Sequence, residues 1–378
     1  MKNIGILLPK STTHPEIGYD FFFGLKGYFA NQGQTPNFHT ANIGFGIDED
    51  LLFSEAERLL LEKNVDVLLA FADHPKVDKI FPLASLFQKP FLVVNPGAKY
   101  PLNWETPDYV TFLSLHEMLS AKVAAKQAVS RLGIENGIIA TNFYDGGYGI
   151  GDSFFQGQEA AGAEIKFNFV GKHIPAEFDA KPLLEYLNTS TEPHLIFSIF
   201  TGSVLELFLK AVQTNSDSHV FVCSQIMLHE IVKKNLHGKS GLPRILSCAS
   251  LDPNGSNDSS QALKKYLMEV AKRESSIFSF LGWDAGLVID LLLVTPKMGR
   301  SLSNASLQNT SFKGCRGDLF FHAPTCQFLP QLYLISYSEK GINTISIEIP
   351  EVLDEWEELI TNRALPPQVG WFNTYLCS

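Results

Sequence analysis

Cysteine is scarce in this chain of 378 residues: there are five, an odd number, and no two stand as C-x-x-C. The thiolate pairs of a structural zinc site are therefore missing. Buried free thiols are the expected state for most of them, although Cys315 and Cys326 bracket a predicted hairpin and could pair. Cationic side chains are also in deficit, 30 Lys and Arg against 40 Asp and Glu, for a formal charge of -10. Nucleic acid and anionic membrane surfaces, which need clustered Lys and Arg, are not expected partners. No apolar run approaches the ~20 residues of a membrane span. The strongest, GLVIDLLLV at 286–294, carries Asp290 and reads as a core helix, so no membrane insertion is expected. The opening MKNIGILLPK is short of the ~7–15 apolar residues of a signal peptide and lacks a small-residue cleavage site. The expected location is cytoplasmic if Met1 is the native start, and periplasmic if a leader was removed ahead of it.

Catalytic motifs are missing as well. The glycine-rich stretch NFYDGGYGIGDSFF, 142–155, fails the dinucleotide fingerprint because Asp152 stands where the third glycine should be. It fails as a phosphate loop because no Gly-Lys-Ser/Thr follows and Asp145 and Asp152 would repel phosphate. GDSFF at 151–155 lacks the closing glycine of a hydrolase elbow. His229 and Glu230 begin like a zinc-protease helix, but Lys233 stands where the second histidine is required. The sequence predicts no enzyme, no metal and no cofactor.

What is present is alternation. Short apolar or β-branched runs (NIGILLP, VDVLLAFA, PFLVVN) alternate with helical patterns, among them YDFFFGLKGYFANQG with Phe21, Leu25 and Tyr28 near one face. The same grammar restarts near 109–113 and runs through GIIATNF, HLIFSIF, HVFVCS and RILSCAS. It is interrupted by the polar LDPNGSNDSSQ at 251–261 and two further helices. After 311 the pattern predicts antiparallel pieces, GDLFF, QFLPQLYLISYS and INTISIEI, the last two joined by the turn EKG, before a last helix VLDEWEELITNR. The expectation is α/β: two doubly wound parallel-sheet lobes joined by three crossovers, one lobe from 1–115 plus 250–325 and the other from 116–249 plus 326–378.

Several stretches, in this order, resemble the type I periplasmic binding proteins, in particular their leucine/isoleucine/valine-binding branch. IGILLPKSTTHPEIGYDFFFGLKGYFANQG is similar to that family's first strand, ligand loop and helix, and VDVLLAFADHPKVDKIFPLASLFQKPFLVVNPGA to its second cleft loop and the strand after it. YDGGYGIGDSFFQGQEAAGAEI resembles the opening of its second lobe, FLGWDAGLVIDLL its late helix, and FKGCRGDLFF its Phe-x-Gly-x-x-Gly hairpin. The resemblance implies a Venus-flytrap solute-binding protein that closes on a small molecule and presents it to an ABC permease. The alternative is a cytoplasmic sensor of the same fold that controls a regulatory protein, and a two-lobed enzyme such as a glycosyltransferase is a third reading.

The resemblance also implies where ligand contacts fall. From the first lobe these are Ser11 and Thr12, which either reach a ligand or cap a helix, then Asp73 and His74 in the second loop, then Gly97 and Lys99, although the lysine reads first as a solvated surface residue. From the second lobe they are Tyr148, as an aromatic wall of the glycine loop, Thr201 with Phe200 beside it, and Gln225. Trp283, on the late helix, is either a cleft residue or core. Gln225 occupies the place where amino-acid-binding relatives carry a carboxylate for the ligand's ammonium, and a neutral amide gives a bond roughly half as strong as a charge-assisted one. The expected ligand is therefore a small polar or amide-like molecule rather than a free α-amino acid.

Overall fold

A computed structural model of the chain describes residues 2–101, 104, 107–142, 147–213, 219–234, 236, 244–294, 311–338 and 341–361. The chain first alternates β1 (Asn3–Leu8), α1 (Ile17–Asn31), β2 (Asn37–Asn42), α2 (Glu49–Glu62), β3 (Val67–Phe71), α3 (Phe81–Phe87), β4 (Phe91–Asn95) and β5 (Val110–Ser114). It continues in a second compact unit as α4 (Glu117–Leu132), β6 (Asn136–Asn142), α5 (Gly147–Ala160), β7 (Glu164–Gly171), α6 (Lys181–Thr189) and β8 (Leu195–Ile199). That unit goes on through α7 (Gly202–Val212), β9 (Val220–Cys223), α8 (Gln225–Lys233) and β10 (Arg244–Ala249). The first unit is then completed by α9 (Asp258–Tyr266), α10 (Ile277–Val294), β11 (Ser311–Lys313), β12 (Asp318–His322) and β13 (Gln327–Pro330). The second ends in β14 (Tyr333–Ser338), β15 (Gly341–Ser346) and α11 (Ile349–Thr361).

The chain passes between the units at Leu115/His116, Gly255/Ser256 and Gln331/Leu332. The sequence pattern ran QFLPQLYLISYS together as one strand of the second lobe. The structure divides it, because Gln327 and Phe328 pair with Phe112 and Leu113 of β5 in the first sheet, whereas Tyr333–Ser338 pair with β10 and β15 in the second. A proline at 330, which has no amide proton for a ladder, ends the first piece.

The first unit holds an eight-stranded sheet in the order β11-β12-β13-β5-β4-β3-β1-β2. Its strands β1 to β5 are parallel, and β3, β4 and β5 are buried at every position, as in a sheet covered by helices on both faces. On one face α1 and α10 meet backbone to backbone: a Cβ on Gly24 would lie 2.0 Å from the Ser279 carbonyl oxygen, and one on Gly282 would lie 2.0 Å from that of Phe21. Only glycine permits that approach. The second unit holds seven strands in the order β15-β14-β10-β9-β8-β6-β7, parallel from β7 to β10 with an antiparallel edge. Its core runs through Ile138, Ile196, Phe200, Phe208, Phe221 and Ile335.

Local signals set several boundaries. The Asp48 side chain accepts from the amides of Asp50 and Leu51 to start α2, and Ser224 accepts from Met227 to start α8. Gly133, at φ 65°, stops α4. Cys315 and Cys326 do not pair, and Cys223, Cys248, Cys315 and Cys326 are all free thiols. The two candidates for pairing flank β12, whose five residues span roughly 17 Å at ~3.4 Å each, far beyond the ~4.4–6.8 Å between the Cα atoms of a disulfide. Among the described residues no helix is long and apolar enough to cross a membrane.

Candidate functional site

Open α/β sheets bind ligands beyond the carboxyl ends of their strands, because loops there are free to vary while the strands hold them fixed. In the first unit that edge carries the loops after β1, β3 and β4. Ser11, after β1, is buried and serves its own turn: its Oγ accepts from the His14 amide at 2.9 Å and lies 3.2 Å from Thr13 Oγ1. Thr12 beside it is exposed. After β4, Gly97 takes φ 72° and donates its amide to Asn95 Oδ1 at 3.0 Å, which folds the loop back on its strand.

The loop after β3 is different. His74 is 2% exposed, its Nδ1 lies 2.6 Å from Asp78 Oδ1, and its ring packs against Phe112 at 5.5 Å, so it ties the loop to its own unit. Asp73 is equally buried at 2%, yet among the described residues neither carboxylate oxygen has a hydrogen-bond partner. Desolvation pushes its carboxyl up to about 7, opposed by the charge of Lys99 from the loop after β4. Lys99 thus acts on Asp73 without a hydrogen bond between them. Trp283 lies within the core: it is 2% exposed and its ring meets Tyr28 edge to face at 5.7 Å, on the interface of α1 with α10.

In the second unit α4 leads into the start of β6, so its own first turn lies at the carboxyl edge of the sheet. There Glu117, which the sequence reading did not single out, is fully buried; its Oε1 accepts from the Ile226 amide at 3.2 Å and thereby caps α8. Its Oε2 has no partner among the described residues, and burial, countered by the Ile226 and Gln225 amides, raises the carboxyl to about 8. The signal was in the sequence: Glu117 and Lys122 are the two charges of the stretch 117–125, the first half of α4, which is otherwise small or apolar and is buried throughout.

Gln225 is committed to the fold. It is 1% exposed, its Oε1 accepts from both the amide and the hydroxyl of Ser250 at 3.1 and 3.0 Å, and its Nε2 donates to Ser120 Oγ at 3.3 Å. Both lone pairs of the amide oxygen are thus occupied within the second unit. Phe200 is core rather than wall, stacked on Phe208 at 4.2 Å. Thr201 is buried at the end of β8, where it leads into α7 without a side-chain cap bond. Tyr148 belongs to the first turn of α5; its side chain lies outside the described residues.

Away from these edges, a cavity of about 360 Å³ runs along the flanks of α4, α5 and α11, lined by Lys122, Asp152, Phe155, Gln156 and Glu358. Its buried lysine is already taken up, bonded to Glu355 at 2.5 Å and to Glu358 at 2.8 Å. Among the described residues no group of three or more His, Cys, Asp or Glu could hold a metal ion.

No family model matches the chain, and no curated protein matches it. Solved structures do. An ABC transporter substrate-binding protein from Sphaerobacter thermophilus superposes with a TM-score of 0.72 at 17% identity, over 92% of this chain and 97% of that one. A solute-binding protein of an ABC transporter from Rhodopseudomonas palustris HaA2, in complex with p-hydroxybenzoic acid, gives 0.72 at 18% identity over 94% and 98%. A leucine-binding protein from Thermotoga maritima MSB8 gives 0.64 at 14% identity over 93% and 100%. The chain has the two-lobed α/β fold of the type I periplasmic binding proteins.

Proposed function

We propose that this chain is a solute-binding protein that binds a small polar molecule at the carboxyl edge of its first sheet and delivers it to an ABC-type transporter. The observation that carries the reading is Asp73: a buried carboxylate at the carboxyl edge of β3 whose two oxygens lack donors, in a fold whose solved examples are transporter-linked binding proteins. Leaving such a group unmatched costs on the order of 1–3 kcal/mol or more, and a ligand that supplies donors returns that energy on binding. Lys99, in the loop after β4, is proposed as a further contact of the first unit, and Thr201, at the carboxyl end of β8, and Tyr148, in the first turn of α5, as contacts of the second. Ser11, His74, Gly97 and Gln225 act behind the site by shaping its loops.

The neighbours hold small organic molecules, among them benzoate, p-hydroxybenzoic acid and isoleucine, which sets the size of solute to try. The test is a thermal-shift panel of amino acids, aromatic acids, amides, amines, sugars and nucleotides. A true ligand at ~100 times its dissociation constant stabilises by about 2.7 kcal/mol, a shift of several degrees. Silence across the panel rejects the proposal. Shifts confined to nucleotides would favour a two-lobed enzyme instead.

A further inference from the structure

Resting on the solute-binding reading, we infer that the ligand of this protein is recognised through a nitrogen head group that donates hydrogen bonds to both oxygens of Asp73, so that the first unit selects N–H donors and rejects carboxylates. Three of the neighbours hold benzoate, p-hydroxybenzoic acid and isoleucine, each a solute bearing a carboxylic acid group. This chain presents an acid at the edge where its fold binds ligands, and two acid groups meeting in a dry site repel unless one keeps its proton.

The geometry favours donors from outside. Both Asp73 oxygens are buried and unmatched among the described residues, although the loop has groups that could have turned toward them. The adjacent His74 points its Nδ1 at Asp78 instead, 2.6 Å away. The Gly97 amide goes to Asn95. Lys99, the charge that acts on Asp73, favours its ionised form without a bond to it. An ionised carboxylate accepts and does not donate, so the complementary group is a donor, and an amidine, a guanidine, an ammonium or a carboxamide can direct two N–H from one head group at its two oxygens. The shared feature is N–H directed at the carboxylate.

The experiment uses the full chain and compounds matched in body but not in head: benzamidine, benzylamine and benzamide against benzoate, and acetamidine, guanidine and acetamide against acetate. Thermal shift and titration calorimetry at pH 8 are expected to give binding for nitrogen-headed members and none for the carboxylates. Because the anion of Asp73 is the competent form and its carboxyl titrates near 7, affinity should fall about tenfold per pH unit below that value. Asp73→Asn should weaken the nitrogen-headed binders at least tenfold and abolish that pH dependence, while the unliganded variant melts no lower than the wild type. The amidine and amide arms tell a charged head from a neutral one. Binding of carboxylates alone, binding that strengthens as pH falls, or nitrogen-headed binding undiminished in Asp73→Asn overturns the inference and leaves solute binding standing. Hits only among sugars, which offer O–H rather than N–H donors, do the same, whereas silence from every class of compound removes both.

Discussion

Asp284 and Asp73 are both buried aspartates of the first unit, exposed by 0% and 2%, and their surroundings could hardly differ more. Asp284, on α10, receives Arg316 Nε at 2.7 Å and the Cys315 amide at 2.6 Å, and Arg316 in turn donates to the Ser114 carbonyl at 3.2 Å. One aspartate thereby fastens the β11–β12 turn and the end of β5 to a core helix. Asp73 receives nothing from the described residues. Burial raises the carboxyl of each, but at Asp284 the arginine and two backbone amides oppose it, whereas at Asp73 only the charge of Lys99 does. A buried charge whose donors are built into the chain belongs to the fold; under the function proposed above, the donors missing at Asp73 are the ligand's to supply. Glu117 in the second unit stands between them, one oxygen capping α8 and the other bare.

The sharpest way to break this comparison is Arg316→Met, which leaves Asp284 buried beside an apolar chain. Removing one partner of a buried pair costs about 3–5 kcal/mol, to be read from the midpoint of urea unfolding; a loss under about 1 kcal/mol would mean that the pair does not organise the unit. Asp73→Asn should go the other way, raising unliganded stability at pH 8 by about 1–3 kcal/mol because an uncompensated charge is removed. The sign follows from linkage. A carboxyl raised from 3.8 to about 7 holds its proton in the folded state where the unfolded chain has lost it, so its favourable term is complete below pH 4 and lost as pH rises through 7. The asparagine variant should flatten the wild-type stability profile between pH 4 and pH 8.

A buried base provides the smallest and opposite effect. His194 and His219 stack at 5.4 Å, and the His194 amide donates to His219 Nδ1 at 3.2 Å. Desolvation lowers both imidazoles, so the unfolded chain binds protons more readily and stability falls as pH drops through and below 6.5. His219→Asn keeps an acceptor near Nδ1 while removing the titrating ring, and should remove an acid-side loss of about 1 kcal/mol or less in the same unfolding assay.

Much of the frame was legible in the residues. The alternation of NIGILLP, VDVLLAFA and PFLVVN with helical runs is the alternation of β1, β3 and β4 with α1, α2 and α3, because a strand covered on both faces must be apolar throughout. The two runs flanking EKG do pair antiparallel as β14 and β15, with Gly341 opening the second; Glu339 and Lys340 of the expected turn lie outside the described residues. The site was legible only in outline. Asp73 was expected among the contacts of the second loop, but nothing in ADHP says that His74 turns away to Asp78 and leaves the aspartate bare. Gln225 was aligned with a ligand-binding position, and only its three contacts with Ser120 and Ser250, 105 and 25 residues away in the chain, show that its amide is occupied. Trp283 was open between cleft and core, and Phe200 was placed beside the Thr201 contact, for the same reason: their partners, Tyr28 and Phe208, are fixed by helix packing rather than by their own neighbours in sequence.

The amino-acid sequence by itself determined the α/β class, the order of strands and helices and the helix stops, since these follow from periodicity, caps and backbone sterics within a few residues of chain. Tertiary structure alone decided where QFLPQLYLISYS divides between two sheets, which buried charges find donors and which do not. Those outcomes depend on groups brought together from more than a hundred residues apart, as Ser114 and Arg316 are, and no local pattern encodes which of them will meet.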